Sequence, residues 1–373
     1  MARLKAVTVL GGYGIFGSRI SKALAQHPHV RVRVAGRNRH VGEIFARTIN
    51  ADFVSCDLDD EDSLRQAIRD ANVVIHTAGP FQKKDYRVAK LCIDAGSHYL
   101  DLSDARQFVV GIATLDQVAR QQGVFVTSGV SSVPAITFAL IKELSPQFSH
   151  IDQIAIGLSP GNQNPRGAST IAAILTYLGK QVTVFENAQE ITVSGWGDSQ
   201  YRSFPPPVGS RRVHNCEVPD LELFPKLWNA RTVRFYAGLE LNIFNYALSV
   251  IASLRRLFLL EPLPRCAPLF LNLSLMLYSC GSKNGALAVW LSGKNHNSQR
   301  IERKIAIVTG DHGPATPSSA AIVLTKRIIE HGPPALGAFP CVGFLTLDEI
   351  MAHLRPLGVW DVKGDEAGWG QRH

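Results

Sequence analysis

The chain has 373 residues, 46% of them hydrophobic and 19% charged, and carries a formal charge of +8. Those figures predict a globular protein of about two domains with a substantial core. Six scattered cysteines without a C-x-x-C pair imply neither a disulfide framework nor a zinc site, and the dispersed Lys and Arg residues form no run resembling a basic nucleic-acid-binding tail.

The first predicted strand, Ala6–Leu10, is expected to leave no room for a signal or transit peptide ahead of it. Behind it runs Gly11-Gly12-Tyr13-Gly14-Ile15-Phe16-Gly17, in which Gly12-x-Gly14-x-x-Gly17 has the spacing of a dinucleotide-binding turn. In that turn one glycine makes the bend, the next lets a pyrophosphate approach the main chain, and the third packs helix on strand. A helix signal follows at once, with Phe16, Ile20 and Leu24 on one face. A glycine-rich hairpin would need polar-apolar alternation on both sides, and neither side has it.

A second strand, Val30–Ala35, leads into Gly36-Arg37-Asn38-Arg39. NAD-binding folds place an acid here to hold the ribose 2′-hydroxyl. Arg37 stands there instead, twenty positions after Gly17, and with Asn38 beside it suits a 2′-phosphate, so NADP is the expected cofactor. The third strand, Asp52–Cys56, delivers Asp57 and Leu58 to the adenine edge. The fourth, Val73–Thr77, delivers Ala78, Gly79 and Pro80 to the path towards the nicotinamide.

On the next helix Tyr86-x-x-x-Lys90 imitates the acid/base pair of short-chain dehydrogenases. Those enzymes carry it after the fifth strand, with a serine thirteen residues upstream. Here it follows the fourth, Val73 stands at that distance, and the pair is assigned to helix surface. The fifth strand, His98-Tyr99-Leu100-Asp101, sets Tyr99 and Asp101 on one face at the strand end, as candidate catalytic proton donors beside a hydride. An alternating strand with a buried tyrosine hydroxyl explains the same pattern. Val124–Thr127 is the sixth strand, so the chain opens with a doubly wound parallel sheet.

After Ser128 the rhythm changes. A helix is expected over Ile136–Leu144, followed by strands in one sheet separated by Gly-, Pro- and Asn-rich loops. Arg166 and Arg234 are the candidate carboxylate clamps, and Asp311 and His312 stand before a late helix. The apolar region 241–282 is too short, too proline-rich (Pro262, Pro264, Pro268) and too interrupted by Arg255 and Arg256 to span a bilayer. The helix over 316–332 is expected to have Thr316 at its N-cap and Gly332 past its end. A short helix follows in "LTLDEIMAHL", and the polar tail from Lys363 reads as disordered.

The runs "GGYGIFGSRI", "AGR", "TAGPF", "CIDAGSHYLDLSD", "PRGASTIAAIL", "GWGD" and "GDHGPATPSSAA" resemble the saccharopine dehydrogenase-like oxidoreductase family over about residues 5–350. The resemblance implies an NADP-binding Rossmann domain, an α+β second domain and a C-terminal helix returning to the first. It also implies hydride transfer with NADPH, in reductive amination or, in trans-acting enoyl reductases, to a C=C bond. The segment "TSGVSSVPAI" departs from true saccharopine enzymes, so saccharopine itself is not the expected substrate. The expected domains are 1–130, with 315–360 packing back on it, and 131–314 for substrate or dimerisation. The expected protein is a cytoplasmic NADP(H)-dependent oxidoreductase acting on a small molecule, without metal, nucleic acid or transmembrane span. A homodimer and peripheral membrane contact stay open. The rival expectation is a non-catalytic NADP-binding protein held on membranes or lipid droplets through 241–282.

Overall fold

The computed structural model describes residues 4–82, 84–258 and 263–371, and the chain divides into two compact units. Met1–Ala135 and Pro314–Leu345 form the first, Ile136–Gly313 and Thr346–His373 the second.

The first unit is a Rossmann-type sheet. Its strands β1 (Lys5–Leu10), β2 (Val30–Gly36), β3 (Asp52–Ser55), β4 (Val73–His76), β5 (His98–Asp101) and β6 (Phe125–Ser128) run parallel in the order 3-2-1-4-5-6. Between them stand α1 (Gly17–Ala25), α2 (Arg39–Thr48), α3 (Glu61–Ile68), α4 (Arg87–Asp94), α5 (Arg106–Gly111) and α6 (Asp116–Gln121). All four residues of β4 are buried, as expected of a central parallel strand covered on both faces. Asp60 starts α3 by accepting from the N–H groups of Asp62 and Ser63, and Gly96, at φ +68°, turns the chain after α4. The strand order reverses between β1 and β4, and their carboxyl ends flank the crevice where such sheets bind ligands.

Six strands were expected in this sheet, and it has seven. Gly337–Pro340 adds in parallel beside β6. Its carbonyl and amide groups are taken up by the β6 ladder, and Asp116 Oδ1 accepts the Ala338 N–H at 2.9 Å. The returning helix spans Ala315–His331, with Pro314 rather than Thr316 at its N-cap and Gly332 at its C-cap, φ +85°.

The second unit begins with α7 (Thr137–Leu144), β7 (His150–Ser159), α8 (Ala168–Tyr177), β8 (Gln181–Glu186), β9 (Gln189–Ser194), β10 (Gln200–Ser203) and β11 (Ser210–Asn215). It continues with α9 (Asp220–Trp228), β12 (Thr232–Ala237), α10 (Asn242–Phe258), α11 (Ala267–Met276), β13 (Gly285–Lys294) and β14 (Arg300–Thr309). Its mixed sheet runs β10-β11-β12-β7-β13-β14, with β12 and β7 parallel and β8–β9 branching from β12.

Two expectations about the C-terminus are corrected here. The return to the first unit ends at Leu345, so 346–360 lies in the second. The polar tail is ordered over its described residues: Trp360–Asp365 pairs antiparallel with β14 and turns back to Gly368–Trp369. Buried Val359 and Val362 anchor it, and the Trp369 indole donates to the Ser203 carbonyl at 3.0 Å. The short helix Leu347–Leu354 carries a capping box between Thr346 and Glu349. No described helix is long and apolar enough to cross a membrane. Pro262 lies outside the described residues.

Candidate functional site

The glycine turn between β1 and α1 is shaped so that side chains cannot enter it. Gly11 has φ +76°, in the left-handed region that glycine tolerates, and the Gly14 N–H bonds back to its carbonyl at 2.9 Å. A Cβ on Gly17 would overlap the Gly11 carbonyl oxygen and come within 2.7 Å of Thr77 Oγ1. One on Gly12 would stand 2.8 Å from the Val9 carbonyl. A Cβ on Gly14 would meet only the Gly11 carbonyl, at 3.1 Å, so this glycine is open on its other sides. Two hydroxyls fasten the turn. Ser21 of α1 donates to the Gly12 carbonyl at 3.0 Å, and Thr77, just past β4, donates to the Leu10 carbonyl at 2.8 Å. Ile15 and Phe16 complete the turn, and the Phe16 carbonyl accepts from Arg19 and Ile20 as α1 begins.

Tyr13 reaches from the turn to the end of β2. Its ring lies against Gly36, where a Cβ would sit 2.6 Å from Cε1, and its hydroxyl accepts the Asn38 N–H at 2.8 Å. Asn38 also caps α2 by accepting from the Val41 N–H. Arg37 beside it is exposed, and the run Gly36-Arg37-Asn38-Arg39 itself contains no carboxylate. At the end of β3, Asp57 accepts from the Asp59 N–H, and the Leu58 carbonyl accepts from Arg87 at 2.6 Å. Ala78, Gly79 and Pro80 are half-buried at the end of β4, and Ala78 lies against Gly11. The structure therefore brings together at one sheet edge all thirteen positions singled out for the cofactor: Gly12–Gly17, Arg37, Asn38, Asp57, Leu58 and Ala78–Pro80.

Tyr99 and Asp101 have a different place from the one expected of proton donors. Both have zero exposure. The Tyr99 hydroxyl sits 3.0 Å from His76 Nδ1, and its ring belongs to the core beneath α3 and α4. Asp101 Oδ1 accepts from the Ser103 N–H (2.9 Å), the Ser128 hydroxyl (2.8 Å) and the Gly129 N–H (3.1 Å). It thus clamps the loops after β5 and β6. Burial pushes its carboxyl up to about 6, although those donors pull the other way. Burial also pushes His76 down to about 4, so this imidazole is neutral at physiological pH. Phe81 closes over it, with ring centroids 4.7 Å apart.

Sequence reasoning missed His76, Thr77 and Ser128. The available signal was their position, each at or just past a strand end on the edge that binds ligands. In the Tyr86/Lys90 pair, the Tyr86 hydroxyl donates to the Phe108 carbonyl at 2.9 Å, and Lys90 is exposed on α4. Tyr86 is packed against the core rather than on the surface expected for it.

The arginines expected to clamp a carboxylate are engaged within the second unit. Arg234 pairs with Glu186 at 2.6 Å. Arg166 donates to Asn162 Oδ1 and to the Ser274 carbonyl, and its burial lowers its pKa. Asp311 pairs with Lys283 at 2.7 Å on exposed side chains. Among the described residues no cluster of His, Cys, Asp or Glu could hold a metal ion.

Residues 7–127 match the family model described as saccharopine dehydrogenase NADP binding domain, and over those residues the resemblance read from the motifs holds. A "lipid droplet localized protein" of Caenorhabditis elegans is 29% identical over 144 residues, 35% of this chain and 34% of that protein. A "saccharopine dehydrogenase-like oxidoreductase" of Bos taurus is 25% identical over 150 residues, 35% of each. The matches thus span about a third of these curated relatives. In fold, the chain is similar to saccharopine dehydrogenase (L-Glu forming) of Saccharomyces cerevisiae, with a TM-score of 0.72 at 15% identity over 97% of this chain and 99% of that one. It is also similar to homospermidine synthase of Legionella pneumophila, solved in complex with NAD, with a TM-score of 0.59 at 11% identity over 95% and 89%.

Proposed function

We propose that this chain, a saccharopine dehydrogenase-like family member by its nucleotide-binding domain, is an NADP(H)-dependent oxidoreductase. Its reaction moves a hydride to or from a C=N or C=C bond of a small metabolite or lipid intermediate. The observation that carries the cofactor choice is the segment just after β2, where exposed Arg37 and the Asn38 amide stand in place of the ribose-binding acid. The glycine cradle fits a pyrophosphate, because Gly14 is open on the side away from Gly11 while Gly17 admits no side chain.

When bound, the dinucleotide would supply or take up the hydride. The rest falls to the chain. Backbone N–H groups of Gly12–Gly17 and the start of α1 hold the pyrophosphate, with Tyr13, Ile15 and Phe16 shaping the turn. Arg37 grips a 2′-phosphate by charge-assisted bonds. Asp57 and Leu58 border the adenine, and Ala78, Gly79 and Pro80 guide the nicotinamide end. Asp101 and Tyr99 act as positioning residues: Asp101 fixes the two loops after β5 and β6, and Tyr99 orients His76 beneath the edge.

Fluorescence titration of the full chain with NADPH and NADH tests the assignment. A charge-assisted bond contributes about 1.5–3 kcal/mol, so NADPH should bind about tenfold to a hundredfold more tightly. Arg37→Asp should reverse the preference by repelling the 2′-phosphate. Equal affinities in the unaltered chain would defeat the proposal.

A further inference from the structure

Exposed apolar side chains are concentrated in one part of the second unit. Of the 17 large apolar residues exposed among the described residues, 10 fall between Ile243 and Tyr278, on and just after α10 and α11. A patch so concentrated marks an interaction surface rather than ordinary scatter. On α10, Ile243, Val250 and Leu257 recur every seven residues and are 62%, 58% and 71% exposed. On α11, Leu269, Leu273 and Met276 are also exposed, and the two helices share one core through Leu248, Ala252, Ala267 and Phe270.

The opposite face of α10 is occupied. Leu248 and Ala252 are buried in a core with Leu175 and Leu178, and Arg255 is only 4% exposed. Its guanidinium donates to the carbonyls of Leu175 (3.0 Å), Thr176 (3.3 Å) and Leu178 (2.8 Å) at the end of α8. The arginine that breaks the apolar run in the sequence is thus the bolt that fixes α10 to α8, and it leaves the outward stripe free of its charge.

We propose that the outward face of α10 and α11 seats the protein flat on a lipid layer with anionic headgroups. Charge selects this occupant over a second copy of the chain. Arg256 and Arg265 are exposed beside the apolar stripe, and the sequence over 241–282 holds a single carboxylate, Glu261, which lies outside the described residues. A two-fold contact through this face would bring two copies each of Arg256 and Arg265 into it, with no described carboxylate of 241–282 to pair them. Anionic headgroups supply the missing charge while the acyl layer takes up the apolar side chains. The surface is peripheral, since neither helix can cross a bilayer.

The test is flotation of the full chain with vesicles of phosphatidylcholine containing about a third phosphatidylglycerol. The unaltered chain should float with them, less so at high salt. The double variant Val250→Asp/Leu257→Asp removes no packed side chain, so its melting temperature should stay put while its vesicle-bound fraction falls about tenfold or more. Arg256→Glu/Arg265→Glu should weaken flotation in the same direction. Three results would overturn the proposal: failure of the unaltered chain to float, equal flotation of the aspartate variant, or a solution dimer that this variant dissociates. None depends on nucleotide, so the outcome is read separately from the cofactor assignment.

Discussion

Asp220 provides a titration that can be followed by its effect on stability. It is the first residue of α9, has zero exposure, and accepts the Thr137 hydroxyl at 2.5 Å through Oδ1, while Oδ2 is buried without a partner. Burial pushes its carboxyl from the ordinary 3.8 up to about 7, against the Thr137 bond and its own backbone N–H. That difference corresponds to about 4 kcal/mol between the two protonation states. The positive end of α9 favours the carboxylate and returns up to about 2 kcal/mol, leaving a net effect of about 2–4 kcal/mol. The folded-state pKa is raised, so below pH about 4 both states hold the proton and nothing is lost. As pH rises towards 7 the unfolded chain ionises first, and the second unit loses stability by that amount. Asp220→Asn keeps an acceptor for Thr137 and cannot ionise. Its stability relative to the parent should therefore climb by about 2–4 kcal/mol between pH 4 and pH 8 and then level off. Urea unfolding followed by tryptophan fluorescence measures this, because Trp228 lies on α9 and packs against Phe138 with centroids 5.3 Å apart. A difference between the two chains that stays constant from pH 4 to pH 8 would refute the reasoning.

Three further predictions concern the nucleotide turn. Gly17→Ala places a methyl against the Gly11 carbonyl and the Thr77 hydroxyl, an overpacking that should lower stability by about 1–3 kcal/mol and weaken nucleotide binding, both visible in melts with and without NADPH. Gly14→Val, by contrast, should melt nearly normally yet fail to bind in a fluorescence titration, because its side chain enters the space reserved for phosphate. Tyr13→Phe removes the acceptor for the Asn38 N–H and a hydroxyl proton free to reach the ribose. It should weaken NADPH by about 0.5–1.5 kcal/mol and NADH by less, measured in the same titration; an unchanged NADPH affinity would leave Tyr13 a purely structural filler.

Much of the first unit was legible because its strands are central and parallel. Val73–His76, with every residue buried, had to be written as an unbroken apolar run, and it was found within a residue of its observed end. The strand Gly337–Pro340 was not legible, since a four-residue stretch containing glycine and proline reads as a turn. It becomes a strand only because β6 and Asp116 take up its backbone groups. The tail from Lys363 failed for a related reason. Its residues are polar, but Trp360–Asp365 finds a partner in β14 more than fifty residues earlier, and a ladder that distant leaves no local periodicity.

In the candidate site, spacing gave position but not depth. Alternation correctly set Tyr99 and Asp101 on one face at a strand end, yet the same alternation describes a side chain under the edge as well as one upon it. Depth was decided by groups that the motif does not contain: His76 meeting the Tyr99 hydroxyl, and Ser128 with the Gly129 amide converging on Asp101.

The arginines of the second unit bear on which substrate class fits. A dicarboxylic amino acid needs cations free to receive it, and Arg234 already holds Glu186 at 2.6 Å. Arg211 is likewise committed to Glu240, 3.1 Å away and only about a tenth exposed. Burial alone would push that carboxyl up. The Asn162 and Ser282 amides, the Ser282 hydroxyl and Arg211 outweigh it and hold Glu240 below the usual range. A substrate carboxylate at either arginine would exchange one charge-assisted bond for another and deprive Glu186 or Glu240 of its cation, a penalty of about 1–3 kcal/mol rather than a gain. Carboxylate recognition of the kind a saccharopine-forming enzyme requires is therefore poorly served by these two residues. A substrate bound chiefly through apolar contacts and reduced at a C=C or C=N bond meets no such penalty.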